Sequence, residues 1–94
     1  LANFNKAFES RVRLGIMSVL AVNPAMDFTG LKETLAVTDG NLASHLRALE
    51  EAGYIRMEKS FINRKPNTSY SITDDGMESF SSHLKALEEL IRNQ

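Results

Sequence analysis

A chain of 94 residues with 43% hydrophobic and 24% charged side chains describes one small globular domain, long enough for a modest core and too rich in apolar residues for disorder. No apolar run reaches membrane-spanning length, no charged-then-apolar leader with a small-residue cleavage site is visible, and the absence of cysteine excludes disulfides and thiolate metal sites. A cytoplasmic location is therefore expected, and with a net charge of only −1 the distribution of charge matters more than its sum.

Residues 1–23 read as helical in one or two pieces. Phe4 and Phe8 lie four apart; Val12, Ile16, Val19 and Leu20 continue an apolar stripe that Leu14 and Met17 widen. Ser10 is placed to restart a helix, with Arg11 and Arg13 beside that start, and Asn23-Pro24 ends it because the residue before proline disfavours the α region. The chain opens on Leu1 and not on methionine, which leaves a native start upstream as one expectation. Residues 26–28 read as a single bridge-like strand.

Residues 28–54 hold the pattern around which the rest is organised. Thr29 is placed to cap a short helix over 30–36, with Leu31 and Leu35 on one face, and Val37 interrupts it. Thr38 caps a second helix, Asp39 sits in its first turn, and Leu42, Leu46 and Leu49 form an apolar stripe that Gly53 terminates. A short helix, a tight turn and a longer helix over 38–52 describe a helix-turn-helix. Opposite the leucines lie Gly40, Ala43, Ser44, Arg47, Ala48 and Glu51, with Asn41 at the edge: mostly small residues, suited to close approach to another surface. A solvated helix with several alanines for helix propensity is the bland alternative.

After Gly53 the period changes to two. Ile55 and Met57 alternate with Arg56 and Glu58 as one strand, Tyr70 and Ile72 with Ser69 and Ser71 as another, and Asn63 to Asn67 reads as a turn-rich link carrying Arg64 and Lys65. From Lys59 to Tyr70 the charges are Lys59, Arg64 and Lys65, with no acid. Thr73 then caps a last helix with Asp74 and Asp75 in its first turn, although Asp75-Gly76 is also a turn signal. Met77, Phe80, Leu84, Leu87 and Ile91 recur at spacings of three and four, a heptad-like stripe about two heptads long with Leu90 beside it. It fits either the domain's own core or a dimer seam, and dimerisation is the expected use in so small a domain. Residues 73–94 hold two cations against five acids, a net −3, which leaves +2 over residues 1–72. A basic wing beside an acidic tail can meet phosphates while the whole stays near neutral.

Taken together, the order resembles the small single-domain winged helix-turn-helix transcriptional regulators near the MarR and ArsR groups. The residues that carry the resemblance are Ser10 to Leu14, Asp27 to Lys32, Thr38 to Leu46, Leu49 to Ile55, Lys59 to Phe61, Arg64 to Tyr70 and Thr73 to Gly76. It spans nearly the whole chain, and order and spacing carry it more than any one segment. It implies a mainly α fold with a small β-hairpin (α+β): a three-helix DNA-binding core, a wing over residues 54–72, and N- and C-terminal dimerisation helices, the latter over 73–92. It further implies a homodimer on double-stranded DNA, one recognition helix per major groove. Carried over, Gly40, Asn41, Ser44 and Arg47 are base-contact candidates, and Thr38, Lys59, Arg64, Lys65 and Thr68 are backbone-contact candidates. Phe80, Leu84, Leu87 and Ile91 are the dimer-interface candidates. Arginine suits guanine and asparagine suits adenine in the major groove, whereas hydroxyls and cations anchor phosphates.

Some relatives sense metals or aromatic ligands. Here only His45 and His83 are present and neither has a histidine three or four residues away, so no metal site and no cofactor is expected. A small-molecule effector has no motif in the sequence, since such pockets arise by packing. An enzyme is not expected: there is no phosphate-cradling glycine loop, nucleophile elbow or cysteine nucleophile. The rival functions are a winged helix that binds protein and not DNA, and a fragment of a larger regulator.

Overall fold

Short-range capping rules account for most element boundaries. The computed structural model describes residues 4–93; the helical reading of residues 1–3 lies outside them. Phe4 and Phe8 do not share an α-helix. Asn5 caps a single 3-10 turn, Lys6–Phe8, and Ser10 Oγ then accepts from Arg13 N to open α1, Arg11–Val22, which stops before Pro24. Strand β1, Met26–Asp27, leads directly into α2, Phe28–Leu35. The cap of α2 is Asp27 and not Thr29: its carboxylate accepts from Gly30 N at 2.7 Å, so the helix starts two residues earlier than expected. An aspartate outcompetes the later threonine because it adds negative charge at the positive end of the helix. Ala36, left-handed at φ 53°, ends α2 one residue short of expectation.

Thr38 caps α3, Asp39–Glu51, accepting from Asn41 N. Its C-terminus closes through Gly53 at φ 81°, with Tyr54 N donating to Leu49 O and Gly53 N to Glu50 O, the paired bonds of a Schellman motif. The chain then forms β2, Ile55–Ile62, and β3, Lys65–Ile72, joined by Asn63 and Arg64 alone. The expected five-residue link is thus a two-residue turn. Both turn residues have positive φ, 51° and 67°, as a type I′ hairpin requires, and Lys65, Pro66 and Asn67 belong to the strand. Pro66 fits because Ile62↔Lys65 flanks the turn as a hydrogen-bonded pair. Alternation then makes Phe61↔Pro66 a non-bonded pair, and the proline nitrogen faces the side that β1 leaves open.

The sheet order is β1-β3-β2, all antiparallel, and α4, Asp74–Arg92, follows under the cap of Thr73. Phe8, Ile16, Met17, Leu20, Leu31, Leu42, Leu46, Leu49, Ile55, Tyr70 and Phe80 are buried together, so every main element contributes to one core. One junction locks the wing to the helices. Thr73 Oγ1 donates to Gly53 O at 2.7 Å, Thr73 N donates to Tyr54 O, and Gly76 N donates to Thr73 Oγ1. Gly76 is required there, since a Cβ would lie 2.0 Å from Tyr54 O.

Candidate nucleic-acid interface

The interface is organised by α3. With Leu42, Leu46 and Leu49 buried, the 100° step per residue places Gly40, Asn41, Ser44 and Arg47 along the opposite side, and all four are exposed. Nothing lies within 4 Å of a Cβ built on Gly40, so packing does not demand the glycine. Thr38 is also exposed; its oxygen accepts the capping bond while its O–H remains a donor. Lys32 on α2 pairs with Asp39 at 2.7 Å, an exposed contact that stabilises little but neutralises the carboxylate beside this face.

The wing candidates divide by face. Lys59 and Thr68 are cross-strand partners on the same side of the ribbon as Met57 and Tyr70, whereas Lys65 sits opposite Ile62 on the other side. Arg64 is at the turn itself. Lys59, Arg64 and Lys65 are exposed and Thr68 is half-buried. The wing therefore presents cations on both faces and at its tip, not along one line. At its base the Tyr70 hydroxyl titrates above its ordinary value, chiefly because it is buried and secondarily because of the negative charge of Glu50 on α3.

Two interactions at this site had no local sequence signal. Arg13 Nε donates to His45 Nδ1 at 3.0 Å, tying α1 to the flank of the recognition helix across 32 positions of sequence. Arg11 borders a hollow with Thr38 and Asn41, adding a cation near the start of α3. His83 is buried; its Nδ1 accepts from Asn5 N and its ring packs against Phe4 and Phe8. No cluster of three metal-ligating side chains is present among the described residues, and no helix among them is long and apolar enough to cross a membrane.

The α4 stripe splits. Phe80 is 3% exposed and packs in the chain's own core, against the Phe8 ring, so it does not lie on the free face where a dimer seam was expected. Phenylalanine at that position faces the body of the domain because α4 touches it only through its first half, where Gly76, Phe80 and His83 are buried. From Leu84 onward no residue of α4 is buried; Leu84 is 45% and Ile91 72% exposed, with Leu87 half-buried.

Comparisons with known proteins agree with this geometry. Residues 12–91 match the family model described as winged helix DNA-binding domain. The chain is 38% identical over 88 residues to an uncharacterised protein of Methanocaldococcus jannaschii, covering 94% of this chain and 96% of that one. It is similar to the structure of a transcriptional regulator homologue from Pyrococcus horikoshii, with TM-score 0.83, 33% identity, and coverage of 99% and 97%. Its fold is also shared, at TM-score 0.67 and 15% identity, by Bacillus subtilis PadR, solved in complex with operator DNA; 74% of this chain and 45% of PadR are covered. A recognition-type helix with a bare polar face, a cationic hairpin locked to it and these matches converge: the chain belongs to the winged helix DNA-binding domain family, with the α+β fold of winged-helix transcriptional regulators.

Proposed function

We propose that the chain acts as a homodimeric, sequence-specific regulator that places α3 of each subunit in the major groove and lays its wing on the backbone or minor groove. The observation that carries the reading is the exposed arc of Gly40, Asn41, Ser44 and Arg47, opposite a fully buried leucine stripe and contiguous in sequence with a wing free of acids from Lys59 to Ile72. Arg47 and Asn41 supply the base-reading chemistry, since their side chains can bond guanine and adenine edges. Thr38, Lys59, Arg64, Lys65 and Thr68 anchor phosphates and fix the register. Dimerisation runs through the overhanging half of α4, where Leu84, Leu87 and Ile91 are presented, and sets the two recognition helices about 34 Å apart, one turn of DNA. Groove occupancy then occludes or repositions the transcription machinery. The operator complex of PadR, a protein of the same fold, supports the docking mode.

The test is fluorescence anisotropy of a labelled duplex at several salt concentrations, beside Arg64→Ala/Lys65→Ala. Binding should weaken steeply with salt, and the variant should flatten the log–log slope by about 2, one unit per lost phosphate contact. Arg47→Ala should relax discrimination at one base position per half-site; an equal loss on every sequence contradicts base reading. No binding at low salt would turn the assignment to a protein-interaction module.

A further inference from the structure

We propose that the wing is also an apolar wedge: Phe61, with Ile62 beside it, enters the minor groove, parts a base step and bends the duplex. This rests on the DNA-binding reading above. Phe61 is 76% and Ile62 56% exposed, immediately before the Asn63-Arg64 turn. Strand β1 pairs only with Tyr70 and Ser69, so the rungs from Lys59↔Thr68 outward form a bare two-stranded ribbon. At roughly 3.4 Å per residue those rungs project about 13 Å from the sheet. Large apolar side chains at the end of such a ribbon contribute nothing to the core, and leaving them in water is unfavourable.

The surroundings identify the occupant. Lys59 shares a face with Phe61, Lys65 lies across from Ile62, and no carboxylate occurs between Lys59 and Thr73. The partner must therefore be anionic on either side of an apolar slot, which is what two phosphate strands flanking stacked bases provide. Pro66 directly opposes Phe61 in a non-hydrogen-bonded pair, the closer of the two cross-strand spacings, so its rigid ring limits the motion of the phenyl group. Two strands about 4.8 Å apart, plus side chains, exceed a minor groove about 6 Å wide, so entry must widen the groove and bend the duplex toward the major groove. Flexible pyrimidine–purine steps accommodate this at least cost. An anionic lipid surface would meet the same charge, but two apolar side chains bury little area in a bilayer, and the recognition helix would have no role there.

The test uses a duplex recovered by selecting random sequences on the full chain, labelled at both ends for energy transfer and carrying 2-aminopurine at successive pyrimidine–purine steps. Wild type should shorten the end-to-end distance and brighten one 2-aminopurine position. Phe61→Ala should lose both signals and weaken binding about tenfold, while Phe61→Leu, still an apolar wedge, retains the bend. Phe61 is exposed, so neither change disturbs the core. A duplex that is bound but stays straight and stacked, or one that Phe61→Ala bends as well as wild type, overturns the wedge and leaves the DNA-binding reading standing. If selection recovers no duplex, or if Phe61 instead drives binding to anionic phospholipid vesicles with no duplex bound, both fall.

Discussion

Arg13 and His45 are joined by one hydrogen bond, Nε to Nδ1 at 3.0 Å, and that bond fixes the flank of the recognition helix against α1. Because Nδ1 accepts, the ring proton must reside on Nε2, which becomes a donor. Arg13→Ala and His45→Ala should each lower stability by about 1 kcal/mol in urea unfolding, and the double-mutant cycle should return a coupling of similar size. Duplex binding should weaken with both changes. Simple additivity of the two losses would remove the positioning role.

Gly40 separates folding from binding. With open space around its Cβ position inside α3, Gly40→Ala should raise stability by about 1 kcal/mol through helix propensity. Close approach of the helix to base edges makes the added methyl unwelcome in the groove, so the same variant should bind duplex more weakly. A protein both more stable and equally tight in binding would place the DNA contact elsewhere.

The division of the α4 stripe makes dimerisation testable without touching the core. Leu84 is 45% exposed, so Leu84→Glu should leave the thermal midpoint of the monomer fold nearly unchanged while sedimentation shifts to monomer and duplex affinity drops. An unchanged dimer would move the interface away from the end of α4. Phe80→Glu is the wrong probe, because it would unfold the domain by burying a charge.

Alkaline stability should report the wing's base. The folded-state value of Tyr70 is raised above its ordinary 10.0, first by burial and then by Glu50, so the folded chain keeps that proton where the unfolded chain loses it. Its contribution is whole below the unfolded value and is lost as pH rises through the folded one. Urea midpoints should thus fall above pH 10 or so. Tyr70→Phe should flatten that fall and Glu50→Gln should lessen it; a decline identical in Tyr70→Phe would assign it to other groups.

Elements whose determinants lie within a few residues were legible in the sequence. Ser10, Thr38 and Thr73 cap the helices their positions announced, Gly53 closes α3, and the period-2 residues around Ile55 and Tyr70 pair across the hairpin. The cap of α2 was misplaced because Asp27 and Thr29 both satisfy the local rule, and only the path of β1 decides between them. The wing's length was underread because Pro66 signals a turn, whereas the one-sided pairing that admits it in a strand is a property of the sheet. Phe80 and Leu84 occupy equivalent places in one stripe; which of them is buried depends on where the body under α4 stops, and spacing carries no such information. For the same reason the Arg13–His45 link and the bare tip at Phe61 appear only once the chain is folded.

The turn at Asn63-Arg64 holds a non-glycine residue at φ 67°, where glycine rests without strain. An Asn-Gly pair would suit this hairpin better as architecture. The arginine is thus a residue kept against the conformational preference of its own backbone, and the most stable version of this domain is not the version written in its sequence. Thermostability engineering guided by turn statistics would select glycine at position 64 and, with that single improvement, erase the outermost charge of the wing.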